Sequence, residues 1–178
     1  SKRLIFILMG LIVLASSCRD LEEMNINPNG VDPAIAHPNL LLSTVVSSTG
    51  QAVLNLGFGD IAGVMQHTQK DGWSGGHNGY DWSTTQGWGG YYSILRNADE
   101  MYNKALEMEL EFHQGVGLVI KSYVFGMITD IWGDAPYSQA LKGELGGETD
   151  IKPAFDAQQA IYEGILADLE TANTLFSG

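Results

Sequence analysis

The sequence is poor in cysteine and in basic residues. Cys18 is its single cysteine, so no disulfide can form within the chain. Lysine and arginine together number 9 against 21 aspartates and glutamates, for a formal net charge of -12. A protein that binds the phosphate backbone of nucleic acid needs a surface rich in lysine and arginine. This acidic composition therefore excludes a nucleic-acid-binding protein. With 44% hydrophobic residues, the chain is predicted to form one globular domain rather than a disordered tail.

The short motifs of common catalytic and metal sites are also missing. The sequence has no Gly-x-Ser-x-Gly elbow, no His-Glu-x-x-His motif and no phosphate-binding glycine loop. No acidic segment follows the EF-hand pattern. The histidines are not spaced as zinc ligands; they are His37, His67, His77 and His113. We therefore expect neither an enzyme nor a metal site or other cofactor.

The first eighteen residues have the order of an export signal. Lys2 and Arg3 precede an apolar run, Leu4–Leu14, which small residues connect to Cys18. The run is too short for the roughly 30 Å core of a bilayer, and a buried core helix is the alternative. The run Leu14-Ala15-Ser16-Ser17-Cys18 resembles a bacterial lipobox, the cleavage site of lipoprotein signal peptidase, although the commonest form has leucine at the place of Ala15. We therefore predict that residues 1–17 are a lipoprotein signal peptide and that Cys18 is lipidated. Two or more acyl chains on Cys18 would anchor the protein lastingly.

Residues 18–38 are predicted to form an extended arm, and residues 39–178 a helical domain. In the arm, Asn27-Pro28-Asn29-Gly30 favours turns, and Pro33 and Pro38 oppose a helix before about Asn39. Three acidic residues follow Cys18 and are either a solvated tether or similar to the surface-export signal of Bacteroidetes lipoproteins; they are Asp20, Glu22 and Glu23.

From Asn39 onward the apolar residues recur with helical spacing. The pattern predicts a long or broken helix from Asn39, a segment near 58–70, and helices near 88–111, 114–132 and from Asp156, with Asp156 and Gln159 as a capping box. The expected core stripes include Tyr92, Leu95, Ala98, Met101, Tyr102, Ala105 and Leu106; Val116, Val119, Ile120, Tyr123, Met127, Ile128 and Ile131; and Ile161, Ile165, Leu169, Ala172 and Phe176. Short connections favour antiparallel neighbours, so we predict an all-α stack of tetratricopeptide-like hairpins, similar to an α-solenoid, with a plain helical bundle as the alternative.

A long segment rich in glycine, polar residues and aromatics, residues 71–87, interrupts the helices. Loops of this length are usually either functional or disordered. Glycan binding uses flat aromatic faces and polar groups that bond hydroxyls. The candidate ligand residues are Trp73, Tyr80 and Trp82 as platforms, with Asp71, His77, Asn78 and Asp81 as polar partners. The alternative is that some of these aromatics anchor the loop, whereas Trp88, Tyr92 and Trp132 fall on helical stripes or at a cap and are expected to pack in the core.

The segment 128–138 predicts a helix that stops sharply. Gly133 supplies a left-handed C-terminal cap, Asp134 fits a turn, and Pro136 prevents the helix from continuing. The same stretch, with Trp132-Gly133-Asp134 and Pro136, resembles the aromatic-Gly-Asp-x-Pro signature of SusD/RagB outer-membrane lipoproteins. Three further segments are similar to family motifs: Asn25–Gly30, Trp88–Asn97 and Tyr162–Glu170.

This resemblance implies a lipid-anchored protein of the outer membrane, facing the cell exterior. Such a protein binds oligosaccharides, or peptides, and delivers them to a partner TonB-dependent, SusC-like transporter. Family members are commonly about three times longer, so the chain is expected to be an N-terminal fragment, incomplete at its C-terminus. Two alternatives remain open: a structural repeat module that binds the transporter without contacting ligand, and the non-catalytic part of a secreted hydrolase.

Overall fold

Helices account for almost all of the regular structure. The computed structural model describes residues 36–58, 60–69, 71–72, 78–79 and 87–178. Its helices are α1 (Asn39–Phe58), α2 (Asp60–Val64), α3 (Gly89–Glu107), α4 (Glu111–Trp132), α5 (Glu148–Ile151) and α6 (Gln158–Ser177), with a 3-10 turn at Gly143–Leu145. Within these ranges the only β-type pairing is one isolated antiparallel bridge, between Ala135 and Asp156. The all-α prediction is confirmed.

Helix α4 lies at the centre of the stack and packs against α3 and α6. The antiparallel course of α3 and α4 follows from their contacts: Tyr92 packs against Phe125, whereas Tyr102 lies beside Gly117. A β-carbon on Gly117 would lie 3.0 Å from the β-carbon of Tyr102. The glycine therefore lets the two helices approach closely near one end of the pair. The hairpin predicted from the short connection is present.

The predicted core stripe of α4 is wrong in part. Val119 and Tyr123 are 38% and 51% exposed, whereas Leu118, Val124 and Phe125 are buried. The sequence pattern predicts one apolar stripe on α4. The helix has neighbours on two sides, α3 and α6, and therefore buries two faces. On the other two stripes the structure buries most of the predicted residues and leaves the following exposed: Leu106 on α3, and Leu169 and Phe176 on α6.

Helix α1 contacts α3 and α4, yet of its own side chains only Val45 is buried. By length and hydropathy, the stretch Asn39–Val64 and α4 would each suffice to cross a membrane. A helix at the centre of a soluble core passes the same test, and α4 contributes ten buried residues. Its apolar character is thus explained by packing.

A histidine contact fixes the start of α1. The ring nitrogen Nε2 of His113, on α4, lies 2.5 Å from Oδ1 of Asn39, and the backbone N–H of Asn39 donates to Nδ1 of His37 at 3.2 Å. The rings of His37 and His113 meet edge to face with centroids 5.7 Å apart. Burial, with a smaller contribution from His37, lowers the pKa of His113 from its ordinary value of 6.5. The neutral imidazole is therefore the form that this contact favours.

Candidate functional site

The turn Trp132–Ser138, called here the signature turn, begins where α4 ends. The backbone N–H of Gly133 donates to the carbonyl of Thr129 at 2.8 Å, and the Thr129 hydroxyl donates to the Gly133 carbonyl at 2.7 Å. Gly133 has a φ of 77°, as the sequence predicts, but its ψ of -121° lies outside the left-handed helical region. The prediction of a left-handed cap is therefore wrong in ψ, because the chain bends away from the helix at Gly133 and Asp134 instead of adding a left-handed helical turn.

The carboxylate of Asp134 caps a distant helix. Its Oδ1 accepts the backbone N–H of Gln158, the first residue of α6, at 3.0 Å. The side-chain amide of Gln158 donates in return to the Thr129 carbonyl at 2.7 Å. Because the first N–H groups of a helix lack partners within the helix, this carboxylate replaces a local N-cap. The signature turn thus joins the end of α4 to the start of α6.

The predicted capping box at Asp156 is wrong. Helix α6 begins two residues later, after Ala157, and no side chain caps its N-terminus from that position. The Asp156 carboxylate instead accepts the backbone N–H groups of Tyr137 and Ser138, at 3.1 and 2.8 Å, and the Ser138 hydroxyl at 2.8 Å. Partial burial acts to raise the pKa of Asp156, but the hydrogen bonds from Ser138 and Tyr137 lower it below its ordinary value. The predicted partner, Gln159, donates its side-chain amide to Glu163.

An aromatic cluster surrounds the signature turn. Trp132 lies between Trp88 and Tyr91, with ring centroids 5.9 and 5.6 Å away. The Tyr92 hydroxyl donates to the Pro136 carbonyl at 2.6 Å. Burial, with a smaller contribution from the charge of Asp156, raises the pKa of Tyr92 to about 12. Trp88, Tyr92 and Trp132 are all packed against the core, so the expectation that they are packing residues is confirmed.

Most of the residues predicted to touch ligand lie outside the described part of the chain. They are Trp73, His77, Tyr80, Asp81 and Trp82, and the predicted lipidation site Cys18 lies outside it as well. Asp71 is described and exposed, and Asn78 is described and half-buried. The 71–87 segment ends directly before Trp88, whose carbonyl accepts the first hydrogen bond of α3 from Tyr91. The segment is therefore joined covalently to the aromatic cluster.

A cleft of about 450 Å³ opens beside the first turns of α3. Its size falls in the range of small-molecule sites. On the α3 side it is lined by Gly89, Tyr92, Ser93 and Arg96, and on the other side by Leu141, Gly143 and Glu144. A smaller hollow of about 210 Å³ shares Tyr92 and Leu141 with this cleft and adds Trp88, Pro136, Ala140 and Pro153. The two adjoining spaces share an aromatic wall, and the cleft carries two opposite charges, those of Arg96 and Glu144.

A second groove, of about 300 Å³, lies between α1 and α3 on the other side of Ser93. Its walls carry amides and hydroxyls: Ser48, Gln51, Asn55, Ser93 and Asn97. The Gln51 amide donates to Asn55 at 2.9 Å, which leaves further amide atoms of the groove able to bond a polar ligand. The sequence does not predict that these groove residues, or Arg96 and Glu144, contact a ligand. Three of them, Ser93, Arg96 and Asn97, fall within the Trp88–Asn97 motif, so that motif is the one sequence feature that points to this region.

These surfaces can bind a polar ligand by stacking and hydrogen bonding. Among the described residues no group of three or more histidines, cysteines, aspartates or glutamates could hold a metal ion. The carboxylate of Asp134, in the signature turn, and that of Asp156, which binds the turn, both accept backbone N–H groups. Further polar side chains line the clefts of α3.

Comparison with known proteins places the chain in a family. The family model described as "Starch-binding associating with outer membrane", SusD-like, matches residues 32–178. No curated protein is significantly similar to the chain. Two solved structures, both of SusD homologs from Bacteroides fragilis NCTC 9343, are similar to it in fold and sequence. One is 25% identical with a TM-score of 0.60, and the other is 26% identical with a TM-score of 0.58.

Each comparison covers 80% of this chain but only 28% or 29% of the solved relative. The matched part of the chain therefore spans less than a third of the length of those proteins. SusD homologs have a helical, tetratricopeptide-like fold, which agrees with the hairpins described above, and SusD-like proteins are non-catalytic binding proteins. The family match extends over the signature turn, the α3 motif and α6, and the chain belongs to the SusD-like family.

Proposed function

We propose that this chain is part of a lipid-anchored protein of the outer membrane that binds glycans at the cell surface and delivers them to a TonB-dependent transporter. The observation that carries the proposal is the family match over residues 32–178, to a family described as starch-binding and associated with the outer membrane. The protein binds its ligand without cleaving it. Residues 18–38 connect the anchor at Cys18 to the helical domain.

The surfaces around the start of α3 support glycan binding. They combine an aromatic wall at Tyr92 and Trp88 with a groove lined by amides and hydroxyls. Sugar rings present flat C–H faces and many hydroxyls, which aromatic rings and amides recognise together. The segment 71–87, rich in tryptophan, glycine and polar groups, ends at this surface. We propose that Trp73 and Trp82 stack on sugar rings, with His77, Asn78, Tyr80 and Asp81 completing the contacts.

The glycan proposal is tested by calorimetric titration of the full chain, purified in detergent, with starch oligosaccharides and with other neutral oligosaccharides. Trp73→Ala and Trp82→Ala are expected to weaken binding at least about fivefold, taking the roughly 1–3 kcal/mol that stacking of a nucleic-acid base on one aromatic ring contributes as the guide. Phe112→Ala is the matched control. Phe112 is an exposed aromatic at the start of α4, at the opposite end of the α3–α4 hairpin from Trp88. Equal affinity in all three variants would disprove the loop contacts.

The anchor is tested separately. Cys18→Ala should abolish incorporation of labelled fatty acid and leave the protein uncut by lipoprotein signal peptidase, because both steps need the thiol. Retention of that variant in the outer-membrane fraction, at the wild-type level, would contradict lipid anchoring at Cys18.

Delivery of the glycan requires a transporter, and copurification from the cell tests whether the protein binds one. The anchored protein should copurify with a TonB-dependent transporter of the same cell. Copurification without any saccharide binding would favour the structural module, and release of sugar products from glycans would favour a hydrolase.

A further inference from the structure

Arg96 is unusual in this acidic chain because, in the part of the chain that the structure describes, no acid forms an ion pair with it. It is the only arginine after residue 19. On a helix its natural partners are the acids three and four residues ahead, Asp99 and Glu100. Asp99 is instead paired with Lys121 on α4, and Glu100 with Lys104 at 3.4 Å. Each of these two acids is therefore paired with a lysine. The N–H groups of the Arg96 guanidinium are available to bind a ligand in the cleft that Arg96 lines.

One wall of the cleft around Arg96 is held in place by the fold. The Tyr92 hydroxyl is occupied by the Pro136 carbonyl, so its ring forms a wall. Across the cleft stand Glu144 and Leu141. Leu141 has a φ of 66°, a conformation that a bulky residue rarely adopts and that is frequent at binding sites. Within the described ranges no carboxylate, including that of Glu144, lies within 4.0 Å of the Arg96 guanidinium.

We propose that this cleft binds an acidic sugar, a uronic acid unit of a glycan, with Arg96 holding its carboxylate and Glu144 accepting hydrogen bonds from its ring hydroxyls. The proposal rests on the glycan-binding function proposed above and names the class of sugar.

The pair of opposite charges favours this ligand over a simple anion. The planar guanidinium matches a carboxylate through two parallel hydrogen bonds. Glu144 repels an anion that has no hydrogen-bond donors, but it accepts the hydroxyls that a uronic acid carries beside its carboxylate. The cleft volume of about 450 Å³ and the adjoining hollow at Trp88 leave space for a neighbouring sugar unit.

The test compares two trisaccharides of equal length, tri-galacturonate and neutral galactotriose, by calorimetry at low ionic strength with the full chain. The wild type should bind the acidic sugar at least about tenfold more tightly, as a charge-assisted pair predicts. Arg96→Ala should abolish this preference, and Arg96→Lys should keep part of it, because lysine retains the charge but not the fork. Lys152→Ala is the control: it removes one exposed positive charge that does not line the cleft and should leave the preference intact.

The outcomes separate the two proposals. If galactotriose and tri-galacturonate bind equally, and Arg96→Ala changes neither affinity, the uronic acid assignment is wrong while glycan binding stands. If neither trisaccharide nor any other oligosaccharide binds, the glycan function itself fails. A peptide with a free C-terminal carboxylate is the third ligand tested. Binding of that peptide through Arg96, without binding of tri-galacturonate, would overturn the sugar class and assign the carboxylate to a peptide.

Discussion

Replacing Gly164 by alanine should destabilise the protein, although alanine is the better helix former. Gly164 lies within α6, where alanine gains about 0.8–1.0 kcal/mol of helix propensity over glycine. The added β-carbon, however, would lie 2.3 Å from the Tyr137 hydroxyl oxygen and 2.6 Å from its ring carbon Cε1. The Tyr137 ring cannot retreat easily, because it packs edge to face on Phe125 at 4.7 Å and its backbone N–H is bound by Asp156.

Overpacking of this kind costs about 1–3 kcal/mol. After the gain in propensity, Gly164→Ala should lower the free energy of unfolding by up to about 2 kcal/mol. Urea unfolding followed by circular dichroism measures it. Gly126→Ala is the matched control: Gly126 also lies inside a helix, but its added β-carbon would meet only Ile165 Cδ1, at 4.0 Å. That variant should gain up to about 1 kcal/mol.

A second variant isolates the cause. In a Tyr137→Ala background the clash is absent, so Gly164→Ala should become neutral or stabilising. If Gly164→Ala stabilises the wild-type protein as much as Gly126→Ala does, the close contact with Tyr137 is not a constraint and the reasoning is refuted.

Three further predictions concern the backbone and the titrating groups. Gly133→Ala should destabilise by about 1–3 kcal/mol, because φ is 77° and ψ -121° there; an unchanged urea midpoint would contradict it. Asp156→Asn should be less stable than wild type at neutral pH. The hydrogen bonds lower the pKa of Asp156 in the folded state below its ordinary value of 3.8. The difference in free energy of unfolding between the two proteins should therefore persist above pH 3.8 and disappear as the pH falls through the lower pKa of the folded state. A difference that does not change with pH would refute it. Burial lowers the pKa of His113 from 6.5, so the unfolded chain binds this proton more readily and wild-type stability should decline as the pH falls below about 6.5. The stability of His113→Gln should decline less over the same pH range. If the free energy of unfolding of the two proteins falls equally between pH 7.5 and pH 5, the prediction is wrong.

The sequence pattern predicted most of the buried residues of α3. Helix α3 buries Leu95, Ala98, Met101 and Ala105, as its periodicity indicates. The same method failed in part on α4, because Val119 and Tyr123 satisfy the periodicity as well as buried residues do. Helix α4 packs heavily against both α3 and α6, so its buried residues do not form a single stripe, and the sequence does not show which faces of a helix its neighbours cover.

The cap residues show a similar limit. Asp156 stands before an apolar period with Gln159 three residues on, which satisfies the local rule for a capping box. Its carboxylate is bound instead by the backbone of Tyr137 and Ser138, nineteen and eighteen residues earlier, and α6 is capped by Asp134 from the signature turn. Competition between local and distant acceptors depends on the fold, so local spacing cannot decide it.

The signature turn explains why the motif identifies a family without identifying a ligand. Asp134, Asp156 and Tyr92 each bind a backbone group through a side-chain oxygen, and Trp132 is packed among other rings. Groups that are satisfied within the fold have little left with which to select a ligand. Arg96 is the opposite case, because both acids near it on the helix are already paired with lysines. Ligand selection should therefore follow the residues around the start of α3, whereas substitutions in the signature turn should alter stability first.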